Sequence, residues 1–253
     1  MGDDAIIEVK DLTAGYDDVV ILQGVTFEVK RSEILVILGG SGCGKSTLLK
    51  HMIGLYDPPK GDVLIEGKSI VQAQGKELQS ILRKIGVSYQ SGALFGSMTL
   101  LENVRLPLEE FTDLPGSAMD LIARMKLGLV GLETFADHLP SEVSGGMQKR
   151  AAIARAIALD PDVLFLDEPS AGLDPITSAE LDDLIIRLNK SLGITFVIVT
   201  HELPSIYAVA DRVVMLDKKK RGIAAIDSPE ELRDHAKEEW VRQFMLREVP
   251  AKS

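Results

Sequence analysis

The sequence predicts an α/β fold: a mixed β-sheet core with an antiparallel β region and an inserted helical subdomain. Three stretches carry that reading. The first is the glycine-rich run Gly39-Gly40-Ser41-Gly42-Cys43-Gly44-Lys45-Ser46-Thr47, entered from the apolar run Ile34 to Leu38 and left by the amphipathic stretch Ser46 to Ile53. The second is another apolar run, Val163 to Leu166, which ends in Asp167-Glu168. The third is the helical-looking stretch between them, about Gln90 to Leu159. Short continuous apolar runs bounded by turn residues are what strands covered on both faces require.

The elements follow in order. Ile6 to Val9 reads as a short strand, and Leu12 to Tyr16 leads to a turn at Asp17-Asp18. Ile21 to Val29 is β-like, broken by Gly24, with a hairpin turn at Arg31-Ser32. Asp62 to Ile65 is a strand turning at Glu66-Gly67-Lys68; Leu78 to Arg83 is weakly helical, and Ile85 to Tyr89 is a strand leading to Gln90. Helical segments then run from Gly92 to His138, with turns at Leu114-Pro115-Gly116 and Gly128-Leu129, and with Leu121, Met125, Leu127 and Leu129 as an apolar face. The break at Pro140-Ser141 introduces a helix capped by Ser144, and its alanines favour helix and allow close packing. Pro175 to Leu192 is a long helix with proline in its first turn and Gly193 just past its end. Thr195 to Thr200 is a strand ending in His201, and Pro204 to Ala210 is a short helix. Arg212 to Leu216 and Arg221 to Ile226 are strands around the basic turn Asp217-Lys218-Lys219-Lys220, read as a solvated hairpin turn. Pro229 to Arg233 and Glu238 to Arg247 are helical, the latter anchored by Trp240, Phe244 and Met245. The organisation expected is one domain over 1–226, with an α/β core of 1–89 and 160–226, a helical subdomain of 90–159, and a C-terminal helical extension of 227–253.

Composition narrows the function. The formal net charge of -10 argues against a general nucleic-acid binder. The one cysteine, Cys43, cannot form an internal disulfide and points to a reducing compartment. Met1 to Glu8 is acidic and carries no signal-peptide apolar segment, and no stretch approaches the length needed to span a bilayer as a helix. The chain is expected not to span a membrane by helices, although it could still dock onto a protein that does.

Strand, glycine loop and helix in that order make a phosphate-binding loop. The glycines let successive N–H groups turn around a polyphosphate, and the new helix adds its own free N–H groups and dipole. Lys45 can reach terminal phosphates and the Ser46 hydroxyl can ligate Mg²⁺. Asp167, delivered to the carboxyl end of a strand, fits the metal shell. Glu168 fits a base that polarises water for attack on the terminal phosphorus. His201 follows its own strand in the same way. Ser144-Gly145-Gly146 opens a helix that reads either as a second phosphate site or as a capped helix start.

Together with Gln90, Gln148 and Ala171-Gly172-Leu173-Asp174, these motifs resemble the nucleotide-binding subunit of an ABC transporter, over about Ile6 to Ile226. The resemblance implies a P-loop NTPase fold of the ABC ATPase type, with ATP and Mg²⁺ as ligands. It assigns Tyr16 to stacking on adenine; Lys45, Ser46 and Thr47 to phosphate and Mg²⁺; and Gln90 to sensing Mg²⁺ and the attacking water. Asp167 supports the metal, Glu168 is the general base, and His201 acts on the terminal phosphate. Ser144, Gly145 and Gly146 cap ATP held by a second copy, and Asp174 lies in the loop that crosses between copies. Val143 and Met147 replace the usual leucine and glutamine around the signature glycines, and Gly40 replaces the usual proline. Neither change removes a phosphate-binding backbone group.

Gln90 to Phe95, Ser144 to Met147 with Arg150, Asp174 to Thr177, and Val241 to Phe244 resemble the ATPases of Mla-type phospholipid transporters. That resemblance implies a permease, an MCE-domain protein and a small STAS-domain regulator as partners, phospholipid as the transported substrate, and a place on the cytoplasmic face of a bacterial inner membrane. The alternatives are an ABC ATPase for another solute, such as an amino acid or a sterol, and a soluble ABC protein acting on nucleic acid. The single phosphate loop, the absence of long heptads and the acidic charge weigh against the last. The C-terminal helices are expected either to pack on their own core or to dock on a second copy or regulator.

Overall fold

The computed structural model describes residues 5–16 and 19–247. Its strands are β1 (Ala5–Tyr16), β2 (Val19–Lys30), β3 (Ile34–Gly39), β4 (Lys60–Ile65), β5 (Lys68–Ser69), β6 (Ile85–Ser88), β7 (Val163–Asp167), β8 (Thr195–Val199), β9 (Arg212–Asp217) and β10 (Gly222–Asp227). Its α-helices are α1 (Lys45–Met52), α2 (Gly75–Leu82), α3 (Leu100–Phe111), α4 (Gly116–Leu129), α5 (Gly145–Ala156), α6 (Pro175–Leu192), α7 (Leu203–Val209), α8 (Pro229–His235) and α9 (Glu239–Leu246). The chain divides into two units, Met1–Ile81 with Thr195–Ser253, and Leu82–Ile194.

The first unit holds an antiparallel sheet in the order β2-β1-β4-β5, and the strands β10-β9-β3-β8. β3 runs parallel to both β8 and β9, while β10 returns antiparallel to β9, so this sheet is mixed. Every residue of β3 and β8 is buried, which explains their unbroken apolar sequence. Sequence reasoning ended the first strand at Val9 and broke the second at Gly24, yet both run through. Two of the four register shifts along this strand pair lie where the breaks were expected. Between the pairs Val9↔Phe27 and Leu12↔Val25, Lys10 and Asp11 oppose Thr26 alone; between Leu12↔Val25 and Ala14↔Leu22, Gln23 and Gly24 oppose Thr13 alone. Asp11 (φ 47°) and Gly24 (φ 65°) supply the left-handed backbone there. The expected turn at Asp17-Asp18 lies outside the described residues.

The C-terminal helix α9 packs on its own unit. Val241 and Met245 are the buried side chains, and the Tyr207 hydroxyl donates to the Met245 carbonyl at 3.1 Å. Trp240 and Phe244, read from the sequence as anchors, are only half-buried. Of the three expected anchors Met245 is buried, and Val241 takes the second inward position in place of Trp240 and Phe244. The expected tail beyond Arg247 lies outside the described residues.

In the second unit β6 and β7 pair in parallel, and α3, α4 and α5 pack on one another. α3 starts with a capping box in which Thr99 and Glu102 satisfy each other's backbone N–H groups. α6 is capped by Asp174, begins with Pro175 and ends at Gly193 with φ 69°. β6 and the end of α5 approach closely: a Cβ on Gly86 would lie 2.2 Å from the Ala156 carbonyl oxygen. Two expectations for α4 are corrected. Gly128 and Leu129 complete the helix instead of turning, and the chain turns at Gly131 (φ 73°). Its inward face is Met119, Ala123, Lys126 and Leu127, whereas Leu121 and Met125 are each 62% exposed. α4 is apolar around most of its circumference, so periodicity fixed the helix but not the buried side. Among the described residues no helix is long and apolar enough to cross a membrane.

Candidate nucleotide-binding site

The phosphate loop leaves β3 and enters α1, as its sequence requires. Gly44 caps α1 at φ 102°, and a Cβ there would sit 2.9 Å from the Ile21 Cγ2 and Leu22 Cγ atoms. Only glycine combines that backbone with that proximity. Gly39 is held as closely, with a Cβ position 2.6 Å from Cys43 Sγ and 2.8 Å from the Leu216 carbonyl oxygen. No side chain caps α1 and its first turn carries no acid, so its N–H groups and positive dipole end are available to an anion. Lys45 Nζ folds into the loop, donating to the Gly39 carbonyl at 2.8 Å and the Gly40 carbonyl at 3.4 Å. Burial pushes the Cys43 thiol up, against the pull of the Lys45 ammonium, so at neutral pH the thiol adds no negative charge to the cradle.

His201 follows β8. Because β8 is parallel to β3, with Val199 opposite Ile37, His201 and the phosphate loop leave the same carboxyl end of this sheet. β9 is parallel to β3 as well and brings the basic turn to that end. The Lys218 ammonium lies 3.6 Å from the Cβ position of Gly42. Sequence reading took this turn for solvated surface; only strand order reveals a second cation beside the loop. Tyr16 ends β1, and its hydroxyl accepts from Thr47 Oγ1 at 3.2 Å.

In the second unit, Gln90, Gly145, Lys149, Asp167, Gly172 and Leu173 line a cleft of about 640 Å³. The structure therefore brings together two of the predicted metal ligands, Gln90 and Asp167, beside the start of α5. Glu168 has φ 48°, a left-handed conformation uncommon outside glycine and frequent where strain serves a site. Ser144 caps α5 by accepting from the Met147 N–H at 3.2 Å. Gly145 is exposed, whereas Gly146 is buried: a Cβ there would be 2.4 Å from Thr177 Cγ2. Asp174 caps α6 with bonds from Thr177 Oγ1 (2.5 Å), Thr177 N (3.1 Å) and Ile176 N (3.0 Å), and these hold its carboxyl below the usual range. A carboxylate whose folded pKa is depressed keeps its charge to lower pH, so this cap is lost only as pH falls below the ordinary carboxylate range.

Three residues that position this site escaped the sequence reading. Lys149 Nζ donates to the Gln90 carbonyl. Arg155 donates at 2.8 Å to the carbonyls of both Gly92 and Ala93, and burial lowers its guanidinium pKa. Asn103, fully buried, donates to the carbonyls of Phe95, Met98 and Thr99 and accepts from the Phe95 N–H. The available signal was that Lys149, Arg150 and Arg155 are the only charged residues of α5. Arg155→Ala is expected to lower stability by roughly 1–3 kcal/mol, since two carbonyls lose charged donors. Calorimetry and faster proteolytic cleavage near Phe95 would register the loosened loop.

The chain belongs to the ABC transporter family, whose family model matches residues 22–171. It is an ATP-binding, ATP-hydrolysing unit of that family. It is 42% identical over 215 residues to the intermembrane phospholipid transport system ATP-binding protein MlaF of Haemophilus influenzae, covering 85% of this chain and 81% of that protein. It is also 42% identical over 239 residues to the probable ribonucleotide transport ATP-binding protein mkl of Mycobacterium leprae, covering 94% of this chain and 68% of that protein. Among solved structures, a dimeric post-hydrolysis state of the ATP-binding cassette MJ0796 bound to ADP and Pi superposes with a TM-score of 0.79 at 33% identity, covering 88% of this chain and 98% of that one.

Proposed function

We propose that this ATPase drives a membrane permease that moves glycerophospholipid between a bacterial inner membrane and an MCE-domain protein. The observation that carries this is the 42% identity to MlaF across most of both chains. The Gln90 to Phe95, Ser144 to Met147 and Asp174 to Thr177 segments support it as well. The chain sits on the cytoplasmic face through the permease, with a STAS-domain protein as regulator. Two copies bind two ATP and close; the dimeric MJ0796 cassette supports pairing. The single domain expected over 1–226 is the unit that pairs.

The roles are divided as follows. Tyr16 stacks on adenine. Lys45 and the N–H groups from Gly39 to Thr47 hold the phosphates and stabilise the charge that develops during transfer. Glu168 takes a proton from the attacking water, and His201 steadies the terminal phosphate. The loop at Gln90 carries closure to the permease. Ser144, Gly145 and Gly146 act on the nucleotide of the second copy, and Asp174 holds the loop that crosses to it. The hydroxyl of Ser46, the amide of Gln90 and the carboxylate of Asp167 are hard oxygen donors, and one carboxylate among them suits an ion whose remaining ligands are phosphates and water. Those residues would hold Mg²⁺, which neutralises phosphate charge.

The second reading, that the solute is a ribonucleotide, is favoured by the name of the mkl relative. Purifying the chain from gently solubilised native membranes, with mass spectrometry of the proteins and small molecules that accompany it, separates the two. A permease, an MCE-domain protein, a STAS protein and phospholipid are expected. A permease with a solute-binding protein and no enriched phospholipid would replace the lipid reading and leave the ATPase chemistry untouched.

A further inference from the structure

Beside Tyr16 the first unit builds a cluster whose further members, Lys50, His51 and Tyr56, have no part in the ATPase reading. The rings of Tyr16 and Tyr56 meet edge to face, with centroids 5.2 Å apart at 90°. Lys50 Nζ lies over both, 5.5 Å from the Tyr16 centroid and 5.7 Å from that of Tyr56. Behind Tyr56 stands His51, at 6.0 Å and 36°. His51 is buried, and its Nδ1 lies 2.8 Å from the Thr47 carbonyl oxygen. A carbonyl oxygen only accepts, so Nδ1 carries the proton and the imidazole is locked in one orientation. The hydroxyl of the same Thr47 donates to the Tyr16 hydroxyl at 3.2 Å. Tyr16 is thus held at its hydroxyl, over one face and against Tyr56, by residues that all belong to α1 or the few positions after it.

We propose that Tyr56, seated on His51 and sharing the Lys50 ammonium with Tyr16, is a positioning residue for the nucleobase: it fixes the plane on which adenine stacks. This rests on the reading that Tyr16 is the stacking residue. A ring that is already oriented loses less freedom when a base settles on it, so removing Tyr56 weakens binding of the base and not of the phosphates. Because Tyr56 is 40% exposed, its truncation leaves the core intact.

The test is equilibrium titration of the full chain with ATP and, separately, with inorganic tripolyphosphate, which has phosphates and no base. Tyr56→Ala is expected to weaken ATP roughly three- to tenfold while tripolyphosphate changes by less than about twofold, and Tyr56→Phe, which keeps the ring, is expected to bind ATP like the parent. Equal weakening of both ligands would overturn the proposal, because Tyr56 would then support the loop generally. Tyr16→Ala is the companion measurement. If it weakens ATP and Tyr56→Ala does not, the positioning role falls and the stacking role stands. If Tyr16→Ala leaves ATP binding unchanged, the stacking role itself falls.

Discussion

Replacing Glu168 by its amide, Glu168→Gln, is expected to cut steady-state phosphate release by about 10³-fold while ATP affinity stays within about twofold. Glutamine matches the size of glutamate and can still orient a water, but it cannot take the proton. The backbone argument makes this the informative substitution. Glu168 adopts φ 48°, and glutamine meets the same left-handed penalty, so the strain is preserved and only the charge changes. Turnover close to that of the parent chain would remove Glu168 from the base role. Unchanged melting with lost turnover would place the effect in chemistry rather than in folding.

Gly146→Ala is expected to cost about 1–3 kcal/mol of stability and most of the ATPase activity. The added methyl would lie 2.4 Å from Thr177 Cγ2, well inside carbon–carbon contact, so α5 or α6 must shift. The second-site change Thr177→Ser removes that methyl and keeps the hydroxyl that bonds Asp174. If Gly146 matters through packing alone, the double variant recovers both melting temperature and turnover. If its backbone must also meet a phosphate of the second copy with no side chain in the way, melting recovers and turnover does not. Calorimetry and ATPase assays on the four variants of this cycle decide between them.

How much of this was legible depends on what each residue's signal reports. The phosphate loop, the β7 strand ending in acid and the helix from Pro175 to Gly193 were readable because local chemistry sets them: glycine geometry, a proline at the first turn and a left-handed glycine at the end. Which side of α4 turns inward was not readable, since Leu121 and Leu127 are equally apolar and only the packing of α3 and α5 chooses between them. Lys218 illustrates the same limit at the site. Its closeness to Gly42 depends on β9 lying next to β3, a pairing between segments 177 residues apart that no local pattern encodes. Asn103, Lys149 and Arg155 act on backbone carbonyls, and a carbonyl leaves no mark in a sequence.

The contact between Gly86 and the Ala156 carbonyl has a mechanical meaning. With no side chain between them, β6 and the last turn of α5 touch backbone to backbone, and Arg155 on that turn grips the loop that β6 feeds. Close-packed contacts transmit a displacement instead of soaking it up. α5 is 12 residues long, about 18 Å as a helix. A push on the loop at Gly92 and Ala93 therefore reaches Ser144 at the far end of a stiff rod, with little slack at the joint. Adding even one methyl at residue 86 would put play into that linkage.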